Sequence, residues 1–252
     1  MVTAAAERLQ SRLFARDPMA MINLLTDDVF TLRASSGDLR QVPLPALYAA
    51  LMADAVEDLP VLRPHQRQPI HAFLVQAGAL ALDAAGRDEP PDAAGDWAAL
   101  LRGLTPGFPG DEPWTLVVPD VSKPAFMQPP IPEGTIEALK EIEPTPDALD
   151  MLVTAKNHDV KAARLARATP EHWLAALVTL QTQEGFLGAG NYGISRMNGG
   201  FASRPMVGLA PKGGIGAHLR RDIRRLLALR GEPALAAYAR AGGLGLVWLE
   251  PW

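Results

Sequence analysis

The sequence contains no cysteine. That excludes disulfide frameworks, thiolate zinc sites and cysteine nucleophiles, and it agrees with a reducing compartment. Long hydrophobic runs are missing as well. The longest apolar stretch, HAFLVQAGALAL from His71 to Leu82, is interrupted by Gln76 and is too short to span a bilayer. The N-terminus lacks the basic, apolar, small-residue order of a signal peptide. There are no internal repeats. A soluble, cytoplasmic protein is expected.

What the chain does have is core-forming residues and an uneven charge. Its 252 residues are 48% hydrophobic, enough for a sizeable core. The net charge is only −4. Residues 1–150 nevertheless carry 11 Lys+Arg against 22 Asp+Glu, while residues 151–230 carry 12 against 4. A basic region in an otherwise acidic chain is the electrostatic footprint of a polyanion partner, with a solvated helical face as the plainer reading.

The pattern predicts an α+β fold: mixed helices with short antiparallel strands, rich in helix. A helix is expected over 3–16. FTLRASSGDLRQVPL reads as two strands around Ser36-Gly37-Asp38. Helices are expected over 45–55 and from Pro69 to Gly86, then a short one capped by Asp96 and containing Trp97, Leu100 and Leu101. WTLVV reads as a strand and KPAFMQPP as extended chain. Further helices are expected over 135–143 and 146–153. Thr169 before PEHWLAALVTLQTQ is a helix start with proline at the first position, and that helix ends at Glu184-Gly185. Another begins at Gly214 to Ile215. Its buried stripe is Leu219, Ile223, Leu226 and Leu227, with Arg220, Arg221, Arg224 and Arg225 on the other face. A helix over 233–241 and a terminal strand, LGLVWLEPW, complete the reading. An apolar edge strand at a terminus is an aggregation liability, so the natural protein is expected to continue.

Motifs of enzymes fail on context. GAGNYG, residues 188–193, matches G-x-G-x-x-G, but a helix precedes it where the dinucleotide fold requires a strand. APKGGIG places its lysine before the glycines, unlike a phosphate-binding loop, although a helix N-terminus follows. Ser195 lacks a nucleophile elbow. His65, His71, His158, His172 and His218 are scattered, so neither a metal nor a cofactor is expected. Acid/base work by His158, Asp159 and Glu184 competes with ordinary loop and capping roles.

Two segments point to nucleic acid. TAKNHDVKAARLAR offers Lys156, Asn157, His158, Lys161, Arg164 and Arg167 for phosphates. EGFLGAGNYGISRMNGGFASRP, residues 184–205, has glycines that let backbone approach another surface, while Asn191, Arg196, Asn198 and Arg204 supply polar contacts to bases or phosphates. A backbone-led contact of this kind in the minor groove reads a short sequence loosely. The competing reading is an enzyme that uses the glycine-rich loop to bind a nucleotide or phosphorylated small molecule.

In the order LLTDDVFTLRASSGDLRQVPLPALYAAL, FLVQAGALAL, PAFMQ, NHDVK, HWLAALVTLQT, GFLGAGNYGISRMNGGFASRP and GLVWLEPW, the chain resembles the amino-terminal domain of the CasA-type large subunit of the type I-E CRISPR Cascade complex. The resemblance covers residues 21–252, divided into an acidic part (21–150) and a basic, nucleic-acid-facing part (151–230), with 1–20 as an N-terminal extension. It implies a non-enzymatic subunit of an RNA-guided antiviral ribonucleoprotein complex that recognises the protospacer-adjacent motif in target double-stranded DNA. By position, Gly188, Ala189, Gly190, Asn191 and Tyr192 would read the motif from the minor groove. Residues 154–167 would lie near the guide crRNA and a neighbouring backbone subunit, and Arg220, Arg221, Arg224 and Arg225 would contact phosphates or other Cascade subunits. The recruited nuclease-helicase is a further implied partner. Family members are roughly twice as long and carry a carboxy-terminal helical bundle that this chain does not include. Ala189 and Asn191 depart from an all-glycine loop core, so no particular motif is implied.

Overall fold

A computed structural model describes residues 21–132, 145–149, 167–183, 212–230 and 244–251, with positions 165 and 232. Strand β1 (Phe30–Ala34) alternates, with Phe30, Leu32 and Ala34 inward, as a strand covered on one face should. It pairs antiparallel with β2 (Leu39–Val42) in the register Phe30↔Val42 and Leu32↔Arg40. Gly37 turns the chain between them at φ +92°, a conformation that favours glycine. Ala34 and Asp38 close the turn with a 2.8 Å backbone bond. The expected hairpin is therefore present. A third strand, β3 (Val56–Asp58), pairs with β1 on its other side, giving the order β2-β1-β3. The sequence reading missed it, because three residues are too few to show a period.

Six α-helices accompany this sheet among the described residues. Helix α1 (Leu44–Met52) buries Leu44, Leu47, Tyr48, Leu51 and Met52, the spacing of a core-facing helical stripe. Helix α2 (Arg67–Ala84) is buried along most of its length. Helix α3 (Ala94–Gly103) packs on both through Trp97, Leu100 and Leu101. Asp96 sits inside its first turn and Ala93 occupies the cap position, so the expected aspartate cap is displaced by one turn's worth of chain. A short helix α4 (Pro146–Leu149) precedes α5 (Pro170–Gln183) and α6 (Ile215–Leu229). Both α5 and α6 pack on α2. The helices expected over 3–16, 135–143 and 233–241 lie outside the described residues.

Aromatic side chains are only 6% of the chain, yet they sit where elements meet. Tyr48 stacks on Trp97 with ring centres 4.3 Å apart, and its hydroxyl donates to the Leu74 carbonyl at 2.7 Å. Burial drives the Tyr48 pKa far above its ordinary value, so the hydroxyl stays a donor. Gly78 lets α2 approach this pair closely. An added Cβ there would lie 3.2 Å from Tyr48 Cε1 and 3.1 Å from Ile223 Cδ1 of α6.

Two expected strands take other forms. In WTLVV, Trp114 ends a 3-10 turn (Glu112–Trp114), and only Thr115 makes a bridge, to Asn23. Pairing stops there because Asn23 and Asp27 fold the partner segment into a turn. LGLVWLEPW forms a 3-10 turn (Val247–Leu249), not a strand. Trp248 anchors it by inserting edge-on against Trp114 and Phe126, its indole donating to the Pro113 carbonyl at 3.1 Å. KPAFMQPP also departs from extended chain. Ala125 and Gln128 exchange both backbone bonds at 2.9 Å around Met127, which holds φ +55°.

Candidate functional site

Gly188, Ala189, Gly190, Asn191, Tyr192, Arg196, Asn198 and Arg204 lie outside the described residues, as do Lys156, Asn157, His158, Lys161 and Arg164. Arg167 is described, and it is exposed. What the structure supplies is the frame on either side of the glycine-rich segment: α5 ends at Gln183, and described chain resumes at Lys212, just before α6. His172 fixes the start of α5, its Nδ1 accepting the Thr169 N–H at 3.1 Å. That is the reach-back half of a capping box, with histidine in the place of Glu or Gln. Burial, and then the charge of Arg63, pushes the His172 pKa below its usual value. Near its other end, Gln181 donates to the Met127 carbonyl at 2.9 Å, joining α5 to the PAFMQ turn. An apolar cavity of about 140 Å³ lies beside this joint, lined by Phe73, Leu80, Met127, Gln181 and Trp248 among others.

Helix α6 carries the arginines. Its buried row is Gly216, Leu219, Ile223 and Leu227. At about 100° per residue the centre of that row falls on the side of Arg220, leaving Leu226 on the rim. Leu226 is accordingly 40% exposed, contrary to the sequence expectation. Arg220 turns inward instead. Its guanidinium donates to the carbonyls of Met52 (2.7 Å) and Leu51 (3.1 Å) and pairs with Asp54. It thus caps the end of α1, joining the Asp54 N–H at the Leu51 carbonyl and supplying a partner to that of Met52, where the helix dipole favours a cation. Arg221 pairs with Asp222, Arg224 with Glu89 at 2.9 Å, and Arg230 with Asp83 and Asp88. Part of the basic surplus is therefore set against the acidic part of the sequence within the fold. Arg225 is exposed.

One cluster joins residues that the sequence scatters. His71 of α2 and His218 of α6 face each other with ring centres 4.0 Å apart and planes 30° from parallel. Both aim Nε2 at the same oxygen, Asp222 Oδ2, at 2.8 Å from His71 and 3.1 Å from His218. Arg221 Nε donates to the other oxygen, Oδ1, at 2.6 Å. The side chains of His71, His218 and Asp222 are 19%, 12% and 25% exposed. Burial, followed by the charge of His71, lowers the His218 pKa. For Asp222, burial pulls upward but is outweighed by the hydrogen bonds from His71 and Arg221, and the net pKa is lowered. Among the described residues this is the single group of three such side chains whose ligating atoms all fall within 4.8 Å.

Comparison with protein-family models, with curated proteins and with solved structures finds no match for this chain. Function therefore has to be argued from residues. The histidine cluster left one trace in the sequence, the four-residue spacing of His218 and Asp222 on an amphipathic helix. Its third member lies 151 positions from Asp222, and only the packing of α2 on α6 reveals it.

Proposed function

We propose that this chain is a non-catalytic large subunit of a cytoplasmic RNA-guided Cascade complex, in which the glycine-rich segment over 184–205 reads the protospacer-adjacent motif of duplex DNA. The carrying observation is the segment itself, with its glycines, Asn191, Asn198, Arg196 and Arg204, set between two capped or ion-paired helices. Backbone that approaches a groove closely needs small residues and a firm base at each end. Further support comes from three of the segments that carry the resemblance. PAFMQ, HWLAALVTLQT and GLVWLEPW meet in one place: Gln181 holds Met127, and Trp248 packs on Phe126 with ring centres 5.7 Å apart. Segments that lie far apart in the sequence gain weight as a unit when they also touch.

In this reading Gly188 to Tyr192 approach the motif, while Lys156, Lys161, Arg164 and Arg196 neutralise phosphates of DNA or guide RNA. The free arginine surface of α6 is smaller than its sequence suggests, since Arg220 is engaged by α1. Arg225 is its best remaining phosphate contact.

The test is co-expression of the tagged chain with the other subunits of its locus and a guide RNA, then binding to duplexes with and without candidate motifs. Gly190→Trp is expected to abolish preference for motif-bearing DNA. Lys156→Ala is expected to weaken all duplexes alike and to lower the salt slope by about one unit. Failure of the chain to co-purify with RNA, together with indifference to every duplex at low salt, would overturn the proposal.

A further inference from the structure

We propose that His71, His218 and Asp222 form a binding site for a divalent transition-metal ion, best suited to Zn²⁺, which ties α2 to α6. The inference is independent of the nucleic-acid reading and rests on geometry. Two imidazole nitrogens from different helices converge on one carboxylate oxygen, at 2.8 and 3.1 Å. In a tetrahedral zinc site, bonds of about 2.0–2.2 Å place neighbouring ligand atoms about 3.3 Å apart, so the two histidine–aspartate gaps have to widen by about half an ångström or less, and all three ligand atoms already lie within 4.8 Å of one another. Arg221 already holds Oδ1, which leaves Oδ2 as a single-point ligand and orients it as an outer-shell partner does.

The donor chemistry narrows the ion. Two nitrogens and one oxygen suit zinc, cobalt or nickel, whereas calcium and magnesium prefer oxygen throughout. The i, i+4 pair His218 and Asp222 lies on one helical face, the spacing by which a helix presents two ligands to one ion. Partial exposure of all three side chains leaves room for water as the fourth ligand. A cleft lined by Leu51, Leu59, Ile70 and Leu219, together with Arg67, abuts His71, and its apolar side chains form a low-dielectric wall that strengthens charge–ligand attraction.

The experiment uses the full chain with its affinity tag removed and its metals stripped by chelation. Zinc titration by calorimetry is expected to give one ion per chain, and zinc to raise the melting temperature in proportion to ln(1 + [Zn]/Kd). Cobalt is expected to give the intense visible bands of a four-coordinate ion. His71→Ala and His218→Ala should each weaken binding at least about 100-fold, and Arg221→Gln about 10-fold, the effect of losing an outer-shell partner. Should the histidine variants fail to fold, the wild-type cobalt spectrum decides. Weak octahedral bands, a melting temperature indifferent to zinc, or undiminished zinc binding in folded His71→Ala would overturn the proposal and leave the cluster a hydrogen-bonded joint.

Discussion

Glu171 stands in the first turn of α5, where an acidic residue is ordinary, yet its side chain is 3% exposed and accepts the Thr31 N–H of β1 at 3.0 Å. Burial pushes its pKa up to about 7, and the bonds from Thr31 offset only part of that rise. A carboxyl whose folded pKa exceeds its unfolded value binds its proton more tightly when folded. Its contribution to stability is thus complete below about pH 4.5 and is lost as pH rises through about 7. The loss is on the order of 3 kcal/mol. Urea unfolding at several pH values between 5 and 8 is expected to show declining wild-type stability, and Glu171→Gln, which keeps the acceptor for Thr31, is expected to flatten that decline. Parallel profiles for the two proteins would remove Glu171 as the cause. The sequence places Glu171 in the first turn of a helix but does not show its burial, because nothing local says that Thr31 of β1 reaches it. His71 and Arg220 were hidden in the same manner. Each looks like a member of its own helix, and each takes its role from a partner more than 140 positions away.

Helix α6 illustrates why elements were easier to read than their contacts. Its start and arginine content follow from local composition, and it begins at Ile215 as the pattern predicts. Its docking depends on Gly216. A Cβ built there would lie 2.2 Å from the Leu51 carbonyl oxygen, a backbone atom that cannot move aside cheaply. Gly216→Ala is therefore expected to destabilise the protein by about 2 kcal/mol, since overpacking of up to about 3 kcal/mol exceeds a helix-propensity gain of about 1. Gly95→Ala on α3, where a Cβ meets nothing within 4 Å, is the control and should be neutral or slightly stabilising. Equal melting temperatures for the two variants would mean that α6 does not sit against α1 as described. The elements misread from sequence share one cause. WTLVV and LGLVWLEPW contain short continuous apolar runs, but such a run makes a strand only when a partner edge is available. Here Trp114 and Trp248 satisfy their burial by packing on each other instead.

A single core connects residues from Leu24 to Trp248, so the acidic and basic stretches of sequence do not correspond to separate packing units. The charge surplus counted along the chain overstates what the surface presents, because Arg220, Arg224 and Arg230 face acids from elsewhere in the fold. Composition indicated a sizeable core, and the local pattern indicated several helices with a small antiparallel sheet. It could not indicate which charges neutralise one another, since pairing follows from packing and not from order. Among the described residues no helix is long and apolar enough to cross a membrane.

Both helices that flank residues 184–211 rest on α2, and this has an evolutionary consequence. The two ends of the segment are held by α5 and α6, whose contacts with α2 lie outside it, and a scaffold held in that way can carry connections of varied length and composition. Replacing residues 184–211 by a glycine–serine linker of equal length is expected to leave the melting temperature within a few degrees, while removing whatever recognition the native segment performs. A collapse of the fold on that replacement would show instead that the segment is part of the core. If the scaffold survives, selection is free to rewrite the recognition element rapidly while the supporting architecture drifts slowly, and two descendants of this protein can come to read different targets on the same frame.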